Sequence, residues 1–198
     1  MSNKRFACLF LFLMISLLVA CSKNGTKLDN IPIVVSQPEA HAVDITIVID
    51  NAHQEVEKIL PGANLTFLSL VAECKSLSEL QGEINLFFSQ TRLTFFGERV
   101  FTARVAINTT QQKMRMEIQD ETEQYLSTEP LELTGISTLE IANALETYLD
   151  AAGKCNETVV IARAATIGPW GVRCGAPDKV FIECIVIDPV TGDIIQVR

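Results

Sequence analysis

The apolar pattern begins at the N-terminus, where Lys4 and Arg5 precede the uncharged run Phe6–Ala20. A run of 15 residues is shorter than the roughly 20 a helix needs to cross a bilayer core of about 30 Å. It fits the apolar middle of a secretory signal. From Ser22 to Val43 the pattern turns polar, with Gly25, Asn30, Pro32 and Pro38 interrupting it, which predicts a tether; Ile33-Val34-Val35 is the alternative, a short strand. Asp44–Asp50 alternates, with Ile45, Ile47 and Ile49 on one face, and predicts a strand. Asn51 with Gln54 then reads as the cap of a short helix that Pro61-Gly62 stops. Leu65–Val71 is apolar without clean alternation and fits a buried strand or a helix equally. Glu83–Gln90, Arg99–Asn108 and Lys113–Gln119 are strand-like, and residues 108–112 form a polar turn between the last two.

A stronger helix follows. Ile141, Leu145 and Leu149 recur every four residues, Ala142 and Tyr148 widen the stripe, Ser137 and Glu140 make a capping box, and Gly153 stands at the stop. Thr158–Thr166, Lys179–Asp188 and Asp193–Val197 are rich in β-branched residues and predict strands. Gly168-Pro169-Trp170-Gly171 reads as a loop, and Pro189-Val190-Thr191-Gly192 as a turn. The halves share an order of helix, strands and a closing hairpin, and residues 105–112 can be laid on residues 185–192. The fold expected is α+β: antiparallel sheet packed with helices, in two degenerate helix-plus-strands units, 44–130 and 131–198.

Leu18-Val19-Ala20-Cys21 at the end of the leading run resembles the lipobox of bacterial lipoproteins. The resemblance covers residues 1–21. It implies that residues 1–20 are removed as a signal peptide, that Cys21 is lipidated, and that residues 21–43 tether a body outside the cytoplasm. Two or three acyl chains in one leaflet hold a protein stably, where one chain is marginal. Ser22 follows Cys21 where an Asp would signal inner-membrane retention, so an outer membrane is the favoured destination if the cell has one.

Charge removes other partners. The chain carries −8, and −10 once Lys4 and Arg5 are gone. That balance excludes non-specific nucleic-acid binding and leaves membrane attachment to the acyl chains, since anionic head groups repel an acidic body. With Cys8 in the signal and Cys21 lipidated, Cys74, Cys155, Cys174 and Cys184 remain, an even number suited to disulfides in an exported protein. Turns in the 168–178 region suit a Cys155–Cys184 or a Cys174–Cys184 link, and spacing does not choose. No Cys-x-x-Cys pair supports zinc, and neither a metal nor a cofactor is expected.

Catalytic signals are sparse. His41 falls in the tether and His53 in the short helix near Asp50, with no Gly-x-Ser-x-Gly elbow anywhere. Glu117, Asp120, Glu121 and Glu123 cluster without a calcium-loop pattern and read as a solvated acidic face. Trp170 is the single tryptophan, either a loop anchor for a ligand or a lid folded on the core. The second unit, closing on Ile185-Val186-Ile187-Asp188-Pro189-Val190-Thr191-Gly192-Asp193-Ile194-Ile195, resembles the end of a PepSY-type domain over residues 137–198. That resemblance implies a small non-catalytic α+β module of exported bacterial proteins, some proposed to restrain peptidases. Cys174, Cys184 and the excursion from Gly168 to Asp178 depart from that family's pattern. The function expected is a lipid-anchored envelope module that binds a protein or polymer partner. The alternatives are an envelope hydrolase using His53 and nearby carboxylates, and a carrier of an apolar ligand, motivated by Phe87-Phe88 and Phe95-Phe96.

Overall fold

The first structural departure from this reading is at Asp44. In the computed structural model, helix α1 (Ile45–Glu57) occupies the segment whose alternation predicts a strand. The Asp44 carboxylate accepts the backbone N–H groups of Thr46 at 2.9 Å and Ile47 at 3.3 Å, so Asp44 and not Asn51 is the cap. Val48, Ala52 and Val56 are the buried residues of this helix, and their spacing of four is the period that wins over the run of β-branched side chains. Asn51 instead lies within the helix and donates its side-chain N–H to the Val34 carbonyl at 3.1 Å. The stop at Pro61-Gly62 holds: Gly62 takes φ +76°, and its N–H donates to both Glu57 carboxylate oxygens, at 3.0 and 2.9 Å.

The structure describes residues 26–36, 43–95, 97–121, 129–133, 137–153, 155, 158–164, 170–175 and 182–196. Strands β1 (Lys27–Pro32), β2 (Asn64–Glu73), β3 (Glu83–Thr94), β4 (Gly97–Asn108), β5 (Lys113–Glu121), β6 (Thr158–Ala164), β7 (Trp170–Gly175), β8 (Ile182–Ile187) and β9 (Ile194–Gln196) form one antiparallel sheet. Their order across it is β1-β5-β4-β3-β2-β6-β7-β8-β9. Helix α2 (Thr138–Ala151) starts at the Ser137–Glu140 capping box and is followed by Gly153 at φ +68°, as the sequence predicts. Each helix is therefore followed by a four-stranded meander, and the two meanders meet edge to edge at β2 and β6. The α+β reading, with antiparallel sheet and two helices, holds.

Two strands stand where none is expected. β1 pairs with β5, and Ile33 and Val35 just after it are buried, so residues 27–35 belong to the folded body and not to a tether. β7 occupies the segment read as a loop, its Trp170 opposite Ile187 on β8. The undecided segment Leu65–Val71 lies within β2, whose Leu68, Leu70 and Ala72 point into the core.

One apolar core serves both helices. It joins Val48, Ala52 and Val56 of α1 and Ile141, Leu145 and Leu149 of α2 to the alternate residues of the central strands. The halves are also joined covalently. Cys74, at the start of a 3-10 turn after β2, bonds to Cys155, just before β6, with Cα atoms 5.2 Å apart. This overturns the Cys155–Cys184 link that one turn suited and is the complement of the other, Cys174–Cys184. Glu73 and Thr158 are register partners, so the cross-link closes the end of the β2–β6 seam. At the same place Glu146 of α2 accepts the Ser78 backbone N–H at 2.7 Å.

Candidate binding site

Along β6 the residues facing the core are Val159, Ile161 and Arg163, opposite Ala72, Leu70 and Leu68 of β2. Arg163 is thus a cation on the buried phase of a strand, with only 5% of its surface exposed. The β6–β7 register that pairs Ala162 with Gly171 sets Trp170, 1% exposed, beside it on the neighbouring strand. The guanidinium carbon lies 5.7 Å from the Trp170 ring centroid, a cation–π distance. Burial lowers the Arg163 pKa from its ordinary value, and the charge of Glu132 pulls it back up.

The pair is chemically incomplete. Arg163 Nε and Trp170 Nε1 are both buried, and neither has a hydrogen-bond partner among the described residues. A buried donor left unmade costs about 1–3 kcal/mol, and native interiors rarely leave one. Two such donors on adjacent strands, one of them on a cation, set up a position for an acceptor of negative or strongly polar character: a carboxylate or a carbonyl. Sequence reading singled out Trp170 and missed Arg163. The available signal was a lone charge at the core-facing position of the β-branched run Thr158–Thr166.

The other candidates do not converge on this position. His53 lies on α1 with its ring stacked on Phe88 at 5.4 Å and 3° between planes, and its Nε2 is 3.7 Å from Glu57. Glu57 is at the same time the acceptor that closes the turn at Gly62. This reads as a helix-to-sheet contact with a carboxylate one turn away. Within the acidic cluster, Glu117 pairs with Lys27 at 3.5 Å and Asp120 with Arg99 at 3.0 Å, which ties β1 and β4 to β5. The Phe run divides between the two faces of the sheet: Phe88 is buried under α1, while Phe87 meets Phe67 at 4.8 Å and lies under Arg104 at 5.2 Å. Cys174 lies on β7 opposite Ile182, and Cys184 falls in β8 at the register shift between Val172 and Arg173. Cys21, His41, Phe96 and Glu123 lie outside the described residues.

Two further polar networks have plain structural roles. Asp188 accepts the N–H groups of Val190 at 2.7 Å and Thr191 at 2.9 Å, which holds the expected turn and keeps its carboxyl pKa below the ordinary value. Glu140 is lowered likewise by its bonds to the Ser137 hydroxyl and backbone. Among the described residues no group of three or more His, Cys, Asp or Glu side chains is placed to hold a metal.

Two open concavities, of about 310 and 370 Å³, lie around Glu83 and Asn108, at the end of the sheet away from the β3–β4 turn. They are broad and solvent-facing, and neither contains Arg163 or Trp170. The buried donor pair is the more specific site, because among the described residues it alone carries unmet bonding capacity. Comparison with family models, with curated proteins and with solved structures gives no match.

Proposed function

We propose that the chain is a lipid-anchored, non-catalytic binding module of the cell envelope, and that Arg163 and Trp170 receive a carboxylate or carbonyl group of its partner. The observation that carries the binding role is the pair of buried N–H donors on β6 and β7 that have no partner among the described residues. The anchor rests on the lipobox resemblance at Cys21, with an outer membrane favoured by Ser22. In the same reading the body is two degenerate α+β units, the second PepSY-like. In support, each helix is followed by four strands, and residues 58–63 and 152–157 separate helix from strand by the same length. The two laid-over segments, 105–112 and 185–192, are also the third-strand ends and closing turns of their meanders. Restraint of a peptidase by occupying or presenting a carboxylate is one form that such binding would take.

The binding role has a direct test. Trp170 is the single tryptophan, so its indole N–H gives one resonance in a proton–nitrogen NMR spectrum. Titration with an acetylated dipeptide bearing a free C-terminal carboxylate is expected to move that resonance and the Arg163 Nε–H saturably. The amide-capped peptide should move them less, and Arg163→Lys should abolish the response. A spectrum unmoved by the carboxylate peptide up to tens of millimolar would rule this role out.

A further inference from the structure

Beyond Ser89 and Val100, β3 and β4 pair only with each other among the described residues, because β2 ends its register at Asn64–Ser89 and β5 at Glu121–Val100. Past the level of Thr91 and Val100 the hairpin therefore overhangs the described sheet by Arg92–Thr94, about 10 Å at the usual strand rise. Its end exposes two large apolar side chains, Leu93 at 83% and Phe95 at 98%, beside Glu98, which is the register partner of Leu93. A soluble surface gains nothing from two large apolar side chains at the tip of a projecting hairpin, whereas an interface does.

The path of the N-terminal strand says which interface. β1 runs from Lys27, opposite Glu117, to Pro32, opposite Lys113, and the Thr26 carbonyl accepts the Ile118 N–H at 3.0 Å. Followed backwards, the chain thus heads toward the end of the sheet from which the hairpin projects. Ile118 is level with Ala103, and from there the strand runs about 20 Å to Gly97. Five residue steps from Thr26 to Cys21 reach about 17 Å at most. A lipid on Cys21 would therefore be within reach of the height of the hairpin tip, at that same end of the sheet.

We propose that the β3–β4 hairpin docks Leu93 and Phe95 into the leaflet that holds the acyl chains of Cys21, so that the body sits on the membrane instead of being lifted from it. The proposal rests on the lipid-anchor reading. Phe and Leu are among the apolar side chains that membrane-surface elements bury at the head-group boundary. Arg99 is paired with Asp120, and the charges of Arg92 and Glu98 offset each other at the hairpin, so insertion depends little on head-group charge or salt. The docked tip also fixes the orientation of the body, which a single point of attachment does not.

The test uses the full-length protein produced in bacteria and reconstituted in phosphatidylcholine vesicles, some with bromine on the acyl chains. Phe95→Trp adds an indole at an exposed tip, so folding is not at stake, and the buried Trp170 of the wild type gives the baseline. Gln111→Trp, in the turn at the far end of the sheet, is the control. The expected result is at least twofold quenching by brominated lipid of the emission added by Phe95→Trp, and none of that added by Gln111→Trp, in low and high salt alike. The mass of the N-terminal peptide from the same preparation reads the lipid on Cys21 separately. Quenching confined to the hairpin variant supports docking with or without that lipid. Equal emission from both variants in brominated and plain vesicles overturns the docking, and with an acylated Cys21 it leaves the anchor standing.

Discussion

Trp170→Ala should lower the unfolding free energy by about 3–5 kcal/mol, the range for removing a large aromatic side chain from a packed core. Trp170 is 1% exposed, stands opposite Ile187 and forms the apolar cover of the Arg163 guanidinium. Deleting it opens a void and strips a buried cation of its π contact. Urea unfolding followed by far-ultraviolet circular dichroism reads the effect. The informative companion is Trp170→Phe. It keeps most of the ring and removes an N–H that has no partner among the described residues, so it should cost less than about 1.5 kcal/mol. Near-native stability together with a lost response to the carboxylate peptide would separate the binding role of the indole from its packing role. A cost for Trp170→Phe as large as that for Trp170→Ala would mean that the N–H is already satisfied in the resting protein.

The second large effect belongs to Cys74–Cys155. The bond closes a loop between positions 81 residues apart, for which chain entropy assigns about 4.5 kcal/mol of stabilisation; native disulfides typically deliver about 2–5. The double replacement Cys74→Ala, Cys155→Ala should therefore move the urea midpoint far below that of the wild type. Because the bond pins the seam at Glu73–Thr158, amide exchange should rise most at the 158 end of β6 and the 73 end of β2. An unchanged midpoint would mean that the β2–β6 ladder and the shared core already hold the two meanders together unaided. Using alanines in place of a reductant leaves Cys174 and Cys184 untouched.

What the sequence made legible follows the range of the interactions involved. Ser137, Glu140 and the stripe Ile141-Leu145-Leu149 lie within a few turns of one another, and the helix they predict is the helix observed. The turn at Pro189–Gly192 is likewise local, fixed by Asp188 and by Gly192 at φ +74°. The segment from Ile45 to Ile49 fits two periods at once, and what decides between them is Asp44 before it and Ala52 and Val56 after it. Trp170 was hidden as a strand residue because Gly168, Pro169 and Gly171 beside it are turn formers in isolation; its pairing with β8 is what makes it β7. β1 is polar and short, and only β5 makes it a strand. The disulfide and the Arg163–Trp170 pair are long-range products of the topology. Cys74 gains its partner only when β2 and β6 become neighbours, and Arg163 gains its ring only when β7 returns alongside β6.

These features give the proposed anchor a geometry. Since β1 starts at Lys27, only residues 22–26 separate Cys21 from the sheet, and the proposed lipid would bring an acidic body with an exposed hairpin tip to the membrane surface. Everything functional in this account depends on the chain being fixed there. The most direct measurement is the intact mass and N-terminal peptide mass of the protein extracted in detergent from bacteria that express the whole chain. The expected product is a chain that starts at Cys21 and carries a diacylglyceryl group on its thiol, with Cys21→Ser neither acylated nor cleaved before position 21. A protein that retains residues 1–20, or begins elsewhere with an unmodified thiol at Cys21, would contradict it.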